Sequence, residues 1–130
     1  MFKTQAPTMR LTLRVLAHLL RYPDADLRAH LGELADALRL EAAVSGHRLD
    51  ELQALIRRLQ TLDSLQTESE YVELFDRGRS TALHLFEHVH GDSRDRGPAM
   101  IDLIQTYEQA GLYLGPEELP DHLPVLLEFA

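Results

Sequence analysis

The chain has 130 residues, 45% apolar and 26% charged, enough for one core of ordinary composition and without an apolar run long enough for a membrane span. It contains no cysteine, so disulfides, thiolate metal sites and cysteine nucleophiles are excluded. Its net charge of −8 argues against nucleic acid as a partner, because phosphate binding needs a basic face.

The first predicted helix is capped by Thr8 and carries Leu11, Val15, Leu16, Leu19 and Leu20 on one side before RYPDAD ends it. Pro23 and Asp24 open a second helix with the stripe Leu27, Leu31, Leu34, Ala35 and Leu38, broken at Gly46. A third holds Leu49, Leu52, Leu55, Ile56 and Leu59 at helical spacing. Asp63 or Ser64 caps a fourth, which turns Tyr71, Val72, Leu74 and Phe75 inward until Gly78 stops it. Ser80 or Thr81 is the expected cap of a short helix with Leu83, Leu85, Phe86 and Val89, ended by Gly91. After the polar turn GDSRDRGP comes a long helix with Met100, Ile101, Leu103, Ile104, Tyr107 and Leu112. LGPEELPDHLP then forms a loop around Pro116, Pro120 and Pro124 before a last apolar run. The expected fold is a single all-α domain over residues 1–130, a bundle of six or seven helices with residues 1–8 flexible. The start MFKTQAPTMR has no apolar signal segment, and a cytoplasmic protein is expected.

The end, LPVLLEFA, is apolar on nearly every side and has no cap or polar tail, as a helix meant for burial would be. We therefore expect a chain truncated at its C-terminus relative to a longer protein, with self-association, domain swapping or disorder near that end.

Charge is unevenly distributed. Residues 1–62 hold nine Lys/Arg and seven Asp/Glu, residues 63–76 hold five acids and no base, and residues 97–130 hold six acids and no base. Such a surface is either a solvated acidic face or a docking face for a basic ligand.

The stretch LFDRGRSTALHLFEHVHGDSRDRG invites a chemical reading. His84 and His88 are spaced i, i+4, with His90 or Asp92 available as a third metal ligand. Against this, the zincin pattern requires glutamate directly after its first histidine, and Leu85 stands there. A Ser80–His84–Asp76 trio has no supporting motif, and neither a nucleophile elbow nor a phosphate loop is present. Residue types alone favour a hydrogen-bonded, charged surface that sets the bend between two helices.

The strings YVELFDRGRSTALHLFEHVHGDSRDRGPAMIDLIQTYEQAGL (Tyr71–Leu112) and ELPDHLPVLLEF (Glu118–Phe129), with LLRYPDADL (Leu19–Leu27) upstream, resemble the NarJ-type nitrate reductase assembly chaperones. These delta-subunit proteins belong to the redox enzyme maturation family with the TorD and DmsD chaperones. The resemblance implies an all-helical, cytoplasmic chaperone that is not an enzyme and carries no cofactor or metal. Its implied partner is the catalytic subunit of nitrate reductase, gripped by its N-terminal, twin-arginine-like segment and held for molybdenum cofactor insertion. Nucleic acid and membrane insertion have no part in that role. Family members continue with further helices that this chain lacks. The implied peptide-binding positions are Tyr71, Phe75, Asp76, Arg77, Glu87, His88, His90, Asp92, Glu118, Asp121 and His122. The competing readings are a small histidine-based metal-binding or hydrolytic protein and a helical interaction module with some other client.

Overall fold

In the computed structural model, which describes residues 8–90 and 94–130, the chain is all-α. Eight α-helices run in order among the described residues: α1 (Arg10–Leu19), α2 (Ala25–Ala29), α3 (Leu31–Glu41), α4 (Gly46–Thr61), α5 (Ser64–Tyr71), α6 (Leu85–Val89), α7 (Arg96–Gln109) and α8 (Leu123–Phe129). A π-helical turn, Val72–Asp76, extends α5, and a 3-10 turn covers Arg79–Thr81. Within the described residues no helix is long and apolar enough to cross a membrane. Of the segment 1–8 expected to be flexible, only Thr8 is described.

The start of α1 departs from the sequence expectation. Thr8 does not cap it; the Thr8 hydroxyl donates to Glu41, and the same carboxylate accepts from the amides of Leu11 (3.0 Å) and Thr12 (2.8 Å). The last residue of α3 thus satisfies the unpaired amides of α1, where the helix dipole also favours a negative charge.

The long second helix of the sequence reading is two helices. Asp24 caps the first as expected, accepting from the Leu27 amide at 2.8 Å. His30 then interrupts it. Its Nδ1 hydrogen-bonds the Asp26 carbonyl at 2.7 Å, the group its own amide would use in a continuous α-helix, and that amide turns to the Leu27 carbonyl instead. The end of α3 also comes earlier than Gly46, at Ala42, whose φ of 54° supplies the left-handed cap. Asp63 caps α5, as its position indicates, through the Gln66 amide. The π turn ends just before Gly78, where only glycine fits because a Cβ would lie 2.5 Å from the Leu74 carbonyl oxygen.

The core lies between α1, α2, α3 and α4. Val15, Leu19, Leu27, Leu31, Ala35, Leu38 and Ile56 form its buried cluster, with Leu34, Leu49, Leu52 and Leu59 partly buried against it. These are the leucine stripes of the sequence, now facing one another. Helix α8 packs along α1 and buries Pro124 and Val125. Pro124 sits in the first turn of α8, where its missing amide costs nothing.

Candidate functional site

Two segments far apart in sequence are clamped together. Residues 83–86 lie against residues 120–123 through an antiparallel bridge between His84 and His122. The Leu85 amide donates to the Asp121 carbonyl (3.0 Å), and the Leu123 amide to the Leu83 carbonyl (2.8 Å). Asp121 is fully buried, and its Oδ2 accepts from the Phe86 amide at 3.0 Å. The cap of α6 is therefore Asp121, reaching across from the proline-rich loop, and not Ser80 or Thr81. Tyr107 of α7 closes the clamp from behind, its hydroxyl donating to the Pro120 carbonyl at 2.8 Å and its ring 5.0 Å from Phe129. Burial, followed by the charge of Asp121, pushes the Tyr107 hydroxyl up to about 12.

The His84 and His122 rings stack at 5.0 Å with 23° between their planes. The pKa of His122 is lowered, first by burial and then by His84 and Arg21, with Asp121 and Glu118 opposing. The folded protein therefore holds this proton more weakly than the unfolded chain, whose histidine titrates near 6.5. The resulting contribution to stability is complete above that pH and is lost as pH falls through the lower folded value. His30, raised by its bond to the Asp26 carbonyl, acts in the opposite sense. The expected outcome is a lower urea midpoint at about pH 5.5 than at about pH 7.5, with a smaller difference in His122→Gln. An equal pH difference in the variant would assign the effect to other groups.

Beside the clamp runs an apolar groove of about 440 Å3. One wall is Leu16 and Leu19 of α1 with Leu20 just after it, and another is Leu52, Leu55 and Leu59 of α4. Leu123 and Leu127 of α8 close one side, while Tyr71, Leu74 and Phe75 line the part formed by α5 and the π turn. Tyr71 is held by its hydroxyl, which donates to the Leu20 carbonyl at 2.9 Å. Its ring meets Tyr22 edge-on at 5.5 Å and Phe75 at 4.9 Å. Glu70 of α5 also lines the groove, within the base-free acidic stretch that holds Glu68, Glu73 and Asp76. Glu70 pairs with Arg58 at 2.6 Å and Glu73 with Arg77 at 3.3 Å.

The residues singled out from sequence are distributed unequally over this arrangement. Tyr71 and Phe75 line the groove, Asp76 is exposed near it, and Arg77 is engaged with Glu73. Asp121 and His122 belong to the clamp, whose next residue, Leu123, is groove wall. Glu118 accepts from the Gly115 amide and faces a separate cleft with Arg14 and Tyr107. Glu87 and His88 are exposed, with the His88 ring on the Ala82 carbonyl at 2.8 Å. His90 packs edge-on against Phe86 at 5.1 Å, and Asp92 lies outside the described residues.

The shared helix face expected for His84 and His88 does not form, because His84 precedes α6 as its N-cap residue. Among the described residues, no three His, Asp or Glu side chains are grouped to hold a metal ion. Sequence reasoning missed Tyr22 and the leucine walls as site residues. The available signal was a leucine stripe wider than a single helix contact requires.

The chain matches the family model described as nitrate reductase delta subunit over residues 21–130. It is 50% identical over 117 residues to the nitrate reductase molybdenum cofactor assembly chaperone NarJ of Escherichia coli K12, covering 90% of this chain and 50% of that protein. It is 38% identical over 113 residues to the nitrate reductase-like protein NarX of Mycobacterium tuberculosis H37Rv, covering 86% of this chain and 16% of the relative. The chain thus spans about half the length of the NarJ relative it matches. In fold it is similar to a crystal structure from Archaeoglobus fulgidus assigned to redox enzyme maturation, with a TM-score of 0.67 and 24% identity over 99% of this chain and 73% of that one. The histidine clamp and the α4 wall of the groove lie inside the matched segment, and the chain belongs to the nitrate reductase delta subunit family.

Proposed function

We propose that this chain is the client-gripping part of a system-specific assembly chaperone, acting in protein maturation and not in catalysis. It binds the N-terminal, twin-arginine-like segment of the apo catalytic subunit of a nitrate reductase and holds that subunit for molybdenum cofactor insertion. The observation that carries this reading is the groove, with leucine walls from two helices and Glu70 of the base-free acidic stretch in its lining. An amphipathic helix lays its apolar face into such a groove while its basic residues meet the rim. Tyr71 and Phe75 contact the apolar face and Asp76 the basic one. Buried Asp121 and its neighbour His122 act by holding the wall in place, and Arg77, Glu87, His88, His90, Asp92 and Glu118 form the surrounding polar surface. A client taken before its cofactor is inserted supports a cytoplasmic place of action. Self-association belongs to the same reading, supported by the exposed apolar side chains Leu112, Tyr113 and Phe129.

The test is calorimetric titration of the chain with a synthetic peptide of that N-terminal segment. Binding is expected to weaken but persist as salt rises from about 0.05 to 0.5 M, since the Debye length shrinks from roughly 14 to 4 Å while apolar burial is unaffected. No binding at any salt concentration would refute the proposed function. Salt-independent binding would make the acidic rim a solvated face only.

A further inference from the structure

The α5 end of the groove differs from its leucine walls. We infer that Tyr22, Tyr71 and Phe75, together with Glu68 and Asp76, form a subsite that takes one arginine side chain of the client helix. This deepens the proposed function and rests on it.

The aromatic part is preorganised. Tyr71 is pinned by its bond to the Leu20 carbonyl, and the Tyr22 ring stands at 86° to it. Tyr22 is 45% exposed and so is within reach of a ligand in the solvent. On the other side of Tyr71, the π turn brings Phe75 to 4.9 Å. Single π turns within helices recur at functional sites, because they re-aim side chains that an α-helix would carry elsewhere.

The charges sort into two pairs. Glu70 and Glu73 are occupied by Arg58 and Arg77, whereas Glu68 and Asp76 have no Lys or Arg partner among the described side chains. Arg21, which also lines the groove, pairs with Glu128 at 2.9 Å while its charge still acts on the Tyr71 hydroxyl. Glu68 and Asp76 both act on the Tyr22 hydroxyl, which hydrogen-bonds to Glu68 and is raised from its ordinary pKa first by desolvation and then by these two carboxylates. Two carboxylates without a Lys or Arg partner among the described side chains therefore stand beside the aromatic cluster, Glu68 through its bond with the Tyr22 hydroxyl.

That combination favours guanidinium over ammonium. Arginine is planar and weakly hydrated, so it can stack on a tyrosine face while its edge donates two parallel hydrogen bonds to a carboxylate. Lysine is a strongly hydrated point charge and gains less from the ring.

The experiment is a double-mutant cycle, read by calorimetry at one ionic strength, on the full chain and the same synthetic peptide. Each peptide arginine is replaced in turn by citrulline, which keeps the shape and removes the charge. One arginine is expected to stand out, its replacement weakening binding about tenfold. The double variant Glu68→Gln/Asp76→Asn should weaken the parent peptide about as much, and in that background the same citrulline should cost less than about twofold. Asp102→Asn/Glu108→Gln, which removes equal charge from exposed positions of α7 outside the groove, should cost less than about twofold. Tyr22→Leu, which keeps the apolar contact, should reduce preference for arginine over lysine at that position. Equal citrulline losses in wild-type and Glu68→Gln/Asp76→Asn backgrounds would overturn the subsite while leaving the groove reading intact. Failure of the parent peptide to bind the wild-type chain would overturn both.

Discussion

Replacing Asp121 with alanine is expected to lower the free energy of unfolding by about 2–3 kcal/mol, visible as a drop in urea midpoint at unchanged slope. Asp121 is fully buried and accepts from the Phe86 amide, so truncation leaves the first turn of α6 without its cap and opens a void in the clamp. An opposing term limits the loss. Oδ1 of Asp121 is buried with no hydrogen-bond partner among the described residues, and removing it relieves a desolvation cost. Asp121→Asn retains an acceptor oxygen for the Phe86 amide and should lose less than half as much. The backbone bridge between His84 and His122 is untouched by either change, so the alanine variant reports the side chain alone. Equal midpoints for Asp121→Ala and wild type would mean that the carboxylate does not hold the clamp.

Ile56→Ala is expected to cost about 3 kcal/mol and to weaken peptide binding as well. Ile56 is 1% exposed and is the one fully buried residue of α4 among those described, while Leu49, Leu52 and Leu59 are only partly buried. The helix is thus anchored on α3 chiefly at this point, and three of its leucines form a wall of the groove. A cavity beneath Ile56 lets α4 settle or tilt, which moves that wall. Ile56→Val, which deletes a single methylene, should cost about 1 kcal/mol and leave binding nearly unchanged. A stable Ile56→Ala variant with full peptide affinity would show that α4 is not held through its buried face and that the groove does not depend on its position.

The sequence by itself determined the all-α class, because its leucine stripes repeat at three- and four-residue spacing and no segment alternates as a strand would. Local chemistry also marked the starts of α2 and α5, where Asp24 and Asp63 cap the helices they immediately precede. The strings around EHVHG and ELPDHLP marked the family. The tertiary structure alone decided whatever depends on partners distant in the chain. Glu41 replaces Thr8 at the start of α1 across about thirty residues, and Asp121 replaces Ser80 or Thr81 at α6 across thirty-five. No local pattern announces such a cap, since an acceptor from any folded neighbour satisfies an amide equally well. The break at His30 was hidden for a related reason, as it depends on a ring competing with a backbone amide for one carbonyl. The groove was the least legible feature. Leu16, Leu20, Leu55 and Leu59 resemble core residues in sequence, because an apolar stripe has the same spacing whether a neighbouring helix covers it or a groove leaves it open.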